Sequence, residues 1–217
     1  MTLLRLLWTQ LTSMRTALIL FLFVLVFTSL LSGAYVWTRS SIEAAAAEEK
    51  MKLIDEVLPR DRYDNALLKD FVSLPPTPAL GLDESSAIYR ARRNGQIEAL
   101  VLETVAPDGY AGKIRLLVAL GQDGAVIGVR VIAHRETPGL GDYIEPKKDR
   151  NKERPWITQF NGHAYAGATD REWKVKKDGG QFDSVAGATV TPRAVIKAVR
   201  KATKYVAENH DALYASK

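Results

Sequence analysis

Cysteine is absent from this 217-residue chain, and histidine is scarce, with three copies. Without thiolates there are no disulfides, no cysteine-built zinc sites and no cysteine-ligated iron–sulfur clusters. His134, His163 and His210 lack the short spacings of a metal motif. Each reads as a surface or hydrogen-bonding residue, and no metal site is expected. Acidic residues are missing from the first 40 positions, and no internal repeat or low-complexity tract occurs beyond Ala44–Ala47. The formal charge of +5 invites thoughts of an anionic polymer until it is divided along the chain. Arg5, Arg15 and Arg39 supply three of those charges, which leaves residues 41–217 near neutrality. Lys147, Lys148, Arg150, Lys152 and Arg154 are interleaved with Asp149 and Glu153, the pattern of a solvated face rather than a phosphate-tracking stripe. Nucleic acid is not an expected partner.

What is present begins with a long apolar run. Arg15 and Arg39 bracket 23 uncharged residues, which as a helix reach about 35 Å, enough to cross a bilayer core with some tilt. Tyr35 and Trp37 stand at its far end, where interfacial aromatics belong. Ser32-Gly33-Ala34 resembles a signal-peptidase site, but the run exceeds the roughly 7–15 apolar residues of a signal. A retained single-pass anchor is the better reading. Positive charges near the two ends are close in number, so the short N-terminal tail and large C-terminal part decide for a cytoplasmic N-terminus with the bulk of the chain outside.

Beyond the anchor, residues 41–58 read as a helix with Ala47, Met51, Ile54 and Leu58 on one face. That stripe serves either a helix packed on the following domain or a partner-facing stalk. Pro75, Pro76 and Pro78 then mark a linker or an extended crossing segment. Asn94-Gly95 between Ile88–Arg93 and Gln96–Val105 signals a tight hairpin. Gly121–Gly124 joins a second pair, Lys113–Leu120 and Ala125–Ala133. Trp156–Phe160 reads as helical, Trp173–Lys176 as a short strand, and Pro192 to about Asn209 as a closing helix with Val195, Val199, Ala202 and Val206 buried. The expectation is an α+β fold: an N-terminal transmembrane helix, then helices packed on a twisted antiparallel sheet. The boundaries expected are an anchor over 1–40, a helical stalk and Pro-rich linker over 41–79, and one domain over 80–217.

Two short segments carry chemistry. In Asp183-Ser-Val-Ala-Gly187-Ala188-Thr189-Val-Thr191-Pro192, Thr191 reads as an N-cap and Pro192 as the first helical residue. Unpaired N–H groups and the positive end of the helix dipole would meet there, which describes an ordinary capped turn or the seat of a phosphate. Arg193, a cation in the first turn, either opposes that dipole in need of an anion or points into solvent. His134-Arg-Glu136-Thr137-Pro138-Gly139-Leu140-Gly141-Asp142 follows a strand, and its glycines make either a plain strand-to-loop corner or room for a flat ligand.

The first segment resembles the flavinylation motif of FMN-binding domains, Asp-x-x-(Ser/Thr)-Gly-Ala-(Thr/Ser), matched at Asp183, Gly187, Ala188 and Thr189, with Ala186 where the motif has Ser or Thr. The second resembles the His-(Lys/Arg)-Glu-Thr-Pro-Gly-Leu-Gly segment of the G-type subunit of the Rnf (Rsx-type) electron transport complex. Gly109-Tyr110-Ala111-Gly112-Lys-Ile114 is similar to a further segment of that domain. The related alternative is the C-type subunit of the sodium-translocating NADH:quinone reductase, which is usually longer. A membrane-anchored flavin-binding module without redox turnover is the other.

The resemblance implies FMN joined through its phosphate to Thr189, with Asp183, Gly187, Ala188, Glu136, Thr137, Gly139 and Leu140 around it. Tyr110 and Trp173 are available for stacking. It implies a flavin transferase for maturation and the other membrane subunits of the complex as partners. The setting it implies is a bacterial inner membrane with the FMN domain in the periplasm. The role is that of an electron-transfer subunit in a ferredoxin:NAD-type ion-translocating oxidoreductase, with no catalytic residue of its own.

Overall fold

A computed structural model describes residues 2–166, 169 and 171–215. The chain divides into two units, Met1–Glu49 and Lys50–Lys217. Helix α1, Thr2–Val57, supplies the described residues of the first unit and the start of the second. In the first unit it runs without a break through residues 32–34, and its described side chains are exposed, Leu18, Leu31 and Trp37 among them. It is the one helix among the described residues long and apolar enough to cross a membrane. Thr38 bonds back to the carbonyl of Ala34, and Arg39 pairs with Glu43 one turn on, as the apolar run gives way to water-compatible sequence.

The second unit is built on a five-stranded antiparallel sheet in the order β1-β2-β3-β4-β5. Its strands are β1 Phe71–Leu74, β2 Ser86–Arg93, β3 Gln96–Gly109, β4 Gly112–Gly121 and β5 Val126–Ala133. Both expected hairpins form. Asn94 and Gly95 take positive φ angles of 52° and 79°, the pairing that matches the twist of adjoining strands. Strand β1 was not legible: four residues ahead of three prolines carry too little alternation, and only pairing with β2 makes them a strand.

Period-two alternation sends each strand's residues to two different cores. On β4, Ile114, Leu116, Val118 and Leu120 face one layer, while Leu117 and Ala119 face the other. On β3 the register shifts twice, between Ala106 and Gly109 and again nearer the hairpin with β2. Ala91 pairs with Ala99 and Arg92 with Ile97, so Glu98 is an extra residue and Ile97 shares a face with Leu100.

The first layer is covered by helix α2, Val190–Glu208, whose Val195, Val199, Ala202 and Val206 are fully buried, and by the short α3, His210–Tyr214. Trp156–Phe160 is helical as expected, in a 3-10 turn whose rings pack in the same layer. Trp173–Lys176 is not a strand. A single bridge, Val175 to Phe182, is all that forms there, because Gly179 and Gly180 turn the chain back at once.

The opposite face receives the end of α1. Met51 packs on it, and Ile54 and Leu58 are buried with Val57, Tyr63 and Leu67 against Tyr89, Val101 and Leu117. The stripe at 51–58 is thus a domain-packing face, whereas Ala47 is exposed and belongs to the first unit. The contact is close: a Cβ on Gly128 of β5 would stand 2.5 Å from the carbonyl oxygen of Val57. At the sheet edge Asp70 accepts from Arg90 at 2.9 Å and Arg92 at 2.6 Å. Burial works against its carboxylate, but those two guanidinium bonds prevail and hold the carboxyl below its ordinary range.

Gly128→Val is expected to destabilise the protein by about 1–3 kcal/mol through overpacking. A thermal midpoint several degrees lower in the full chain would record it, and an unchanged midpoint would show that α1 is not seated on β5. Asp70→Asn is expected to cost about 2 kcal/mol near neutral pH, the scale of hydrogen bonds to charged groups. A lowered folded-state pKa gives stability that is present above the unfolded value of 3.8 and lost as pH falls through the folded one. Denaturant unfolding of both proteins should therefore show a gap that closes in acid, and a gap constant with pH would contradict the assignment.

Candidate functional site

The two chemistry-bearing segments meet at the N-terminus of α2. Glu136, Thr137, Leu140, Gly141, Gly187, Ala188, Thr189, Val190 and Thr191, with Tyr110 from the β3–β4 turn, line a cavity of about 120 Å³. Six of the eight residues expected around a ligand are in that lining. Asp183 and Gly139 are not. Asp183 is exposed and pairs with Lys176 at 2.6 Å, while its carbonyl accepts from the Trp156 ring nitrogen. Gly139, at φ 76°, donates its N–H to Asp142 and shapes the turn that presents Leu140. Of the two stacking candidates, Tyr110 reaches the cavity. Trp173 does not, being buried among Phe160, Phe182 and His163.

Helix α2 starts earlier than its sequence signals indicate. Val190 opens it and Thr189 holds the N-cap position, where its side chain makes no capping hydrogen bond. Thr191 therefore does not cap. It is 1% exposed, and its buried hydroxyl must find an acceptor, which is the Glu136 carboxylate. Pro192 remains in the first turn, where a missing N–H costs nothing. Arg193 neither awaits an anion nor points free into solvent: it grips Asp178 through two nitrogens at 2.6 and 2.7 Å.

Glu136 is the centre of the site. It is 4% exposed, and it accepts from the Ala111 N–H at 3.1 Å with one oxygen and from Thr191 with the other. Its own N–H donates to Nδ1 of His134 at 2.9 Å, which leaves Nε2 to donate to Glu145 at 2.6 Å. A Cβ on Gly141 would come within 2.8 Å of Glu136 and 2.9 Å of Thr191, so the floor of the cavity has no spare volume. On the far wall, Tyr143 donates to the Ala188 carbonyl and accepts from Val185, both at the long end of hydrogen bonding. Burial pushes the Tyr143 hydroxyl up to about 12, so it stays protonated and able to donate.

The arrangement suits a flat, phosphorylated ligand. An uncommitted threonine hydroxyl sits at the helix N-terminus, where the N–H groups of Val190 and Thr191 lack intrahelical partners. Leu140, Ala188 and Val190 give apolar walls, and the glycines leave room beside them. The cavity is smaller than the roughly 300–1,000 Å³ that encloses a drug-sized ligand. A ring larger than the cavity would have to extend over the exposed rim. A larger depression of about 630 Å³ contains none of the Thr189 segment, and in it Lys113 pairs with Asp83 and Arg115 with Glu103.

Residues 109–204 match the FMN-binding domain family, and residues 5–57 match the RnfG N-terminal region. The chain is 44% identical over 207 residues to the G-type subunit of the ion-translocating oxidoreductase complex of Pseudomonas aeruginosa, covering 95% of this chain and 94% of the relative. It is 39% identical over 202 residues to the protein of that name from Aliivibrio fischeri, covering 93% and 94%. The Vibrio cholerae protein is 40% identical over 200 residues, covering 92% and 93%. A crystal structure of Shewanella oneidensis NqrC aligns with a TM-score of 0.42 at 22% identity, over 65% of each chain. By its full-length identity to these relatives, the chain belongs to the RnfG family, the G-type subunits of ion-translocating oxidoreductase complexes.

Proposed function

We propose that this chain is the membrane-anchored flavin relay of such a complex, with FMN joined covalently through its phosphate to Thr189. The observation that carries the reading is the Thr189 hydroxyl. It stands uncapped at the start of a 19-residue helix and at the mouth of a cavity walled by both motifs. FMN supplies the redox chemistry, accepting and releasing electrons, and the protein's part is attachment, orientation and access. The helix N-terminus stabilises the single negative charge that a phosphodiester keeps. Leu140 and Val190 give the ring an apolar wall, and Tyr110 is placed to cover it. Glu136 holds the hairpin and the helix at fixed separation, so the seat exists before the cofactor arrives.

A separate flavin transferase acting on FAD installs the group, and the other membrane subunits of the complex are the electron partners. The complex is of the ferredoxin:NAD type and couples electron flow to ion movement. The N-terminus faces the cytoplasm of a bacterial inner membrane and the FMN domain faces the periplasm. Attachment suits that compartment, where a dissociated cofactor would be lost. Ala186 departs from the flavinylation motif, and its side chain is exposed on the turn rather than in the cavity lining. The substitution leaves the proposed acceptor untouched.

Intact-mass measurement of the full chain co-expressed with a flavin transferase should show a gain of one FMN less water. Thr189→Ala should abolish the gain, while Thr191→Ser should retain it. An unmodified parent chain, or a modified Thr189→Ala, would sink the assignment. Reporter fusions should give cytoplasmic activity at the N-terminus and periplasmic activity at the C-terminus, and the opposite pattern would invert the topology.

A further inference from the structure

The loop that runs from one wall of the flavin pocket to the other has a charge imbalance that its sequence conceals. Residues 147–154 hold five cations against Asp149 and Glu153. Asp149, however, is turned inward. It is 8% exposed, and its oxygens accept from the N–H groups of Asn151 at 2.9 Å and Trp156 at 2.5 Å. Lys147, Lys148, Arg150, Lys152 and Arg154 are all exposed, with Glu153 alone to oppose them from within the loop. Lys148 reaches Glu145 at 3.7 Å and Asp142 at 4.0 Å. Among the described residues the other four cations form no ion pair.

Both ends of this loop are fastened to the site. At its start, Lys148 contacts Asp142, the residue that accepts from Gly139 and fixes the turn bearing Leu140. At its end, the Trp156 ring nitrogen donates to the carbonyl of Asp183 at 2.6 Å, where the Thr189 segment begins. The Trp156 ring also packs edge-on against Tyr143, whose hydroxyl meets Val185 and Ala188. The pocket that these contacts border has an apolar rim. Tyr110, Leu140 and Val190 of its lining are 71%, 54% and 44% exposed, and Val185 on the adjoining Thr189 segment is 47% exposed.

We propose that this face, the apolar rim with its basic flank, is the docking surface for one of those partner subunits, a one-electron carrier whose own redox group is bordered by carboxylates. The proposal rests on the reading that FMN occupies the Thr189 pocket. Electron exchange demands that the partner cover the rim, because transfer fails over long gaps. In each encounter one electron crosses: the donor is oxidised by one electron, the acceptor is reduced by one, and accompanying protons exchange with water. Cations left unpaired beside such a contact favour an acidic partner and steer its approach. An anionic lipid surface would also pair those cations, but it would seal the same rim away from a protein.

The test uses the full flavinylated chain in neutral-lipid nanodiscs, as parent and as the exposed-loop variant K147E/R150E/K152E. After chemical reduction, reoxidation is followed by stopped flow with ferricyanide, an anion, and with tris(phenanthroline)cobalt(III), a cation. In the parent the ferricyanide rate should fall about tenfold between about 10 mM and about 0.5 M ionic strength, while the cobalt rate rises. The variant should reverse both trends at unchanged flavin content. In membranes holding the intact complex, carbodiimide should couple the loop lysines to carboxylates of a partner protein, and the variant should lose both that adduct and electron throughput. A preparation without flavin overturns the FMN reading and this proposal together. Flavin-loaded protein whose rates ignore salt and charge reversal, or which gives no adduct, overturns the docking face alone. Loop protection from hydrogen exchange that appears on adding anionic lipid, with no partner present, overturns it in favour of headgroups.

Discussion

A buried carboxylate removed from water costs several kcal/mol unless donors meet it, and Glu136 is met from two directions. The Ala111 N–H comes from the turn between β3 and β4, and the Thr191 hydroxyl comes from the first turn of α2. Neither donor could move away without stranding a charge, so the hairpin tip and the helix N-terminus are held at one separation. The cavity between them exists because of that bond. Small residues around it follow from the same constraint. A Cβ on Gly109 would stand 2.9 Å from one Glu136 oxygen, and a Cβ on Gly141 would stand 2.8 Å from the other. Glycines that look like ligand-contacting signatures are at least partly there to admit the carboxylate.

The same bond explains why Thr191 misleads a reader of the sequence. Thr-Pro ahead of an apolar repeat is a sound helix-start pattern, and the true start lies only one residue before Thr191. What local pattern cannot express is a side chain recruited by a residue 55 positions away. The role of Arg193 cannot be read locally for a similar reason, since Asp178 is distant in sequence and close in space.

Legibility elsewhere sorts by the range of the forces involved. Asn94-Gly95 and Gly121–Gly124 specify hairpins through backbone preferences of a few residues, and both form. The buried face of α2 was readable because helical period depends on nearby residues alone. Strand β1, the turn at Trp173–Lys176 and the inward rotation of Asp149 were not readable, because each is decided by partners supplied by the fold. The site was legible to a large extent. Glu136, Thr137, Leu140, Gly187, Ala188 and Thr189 converge, while Asp183 and Gly139 act one step back by shaping the loops that carry the others.

A relay makes two demands that oppose each other. Rapid exchange with another protein requires an edge of the redox group at the surface, and retention requires burial of enough area to resist dissociation. A cavity of about 120 Å³ with an exposed apolar rim satisfies the first demand at the expense of the second. Deepening the pocket would require displacing the Glu136–Thr191 contact at its floor, which the sheet and helix cannot spare. A phosphoester at Thr189, as proposed, separates the two requirements: the bond keeps the cofactor and the cavity merely orients it. The site can then remain shallow, and the surface around it is released to serve recognition.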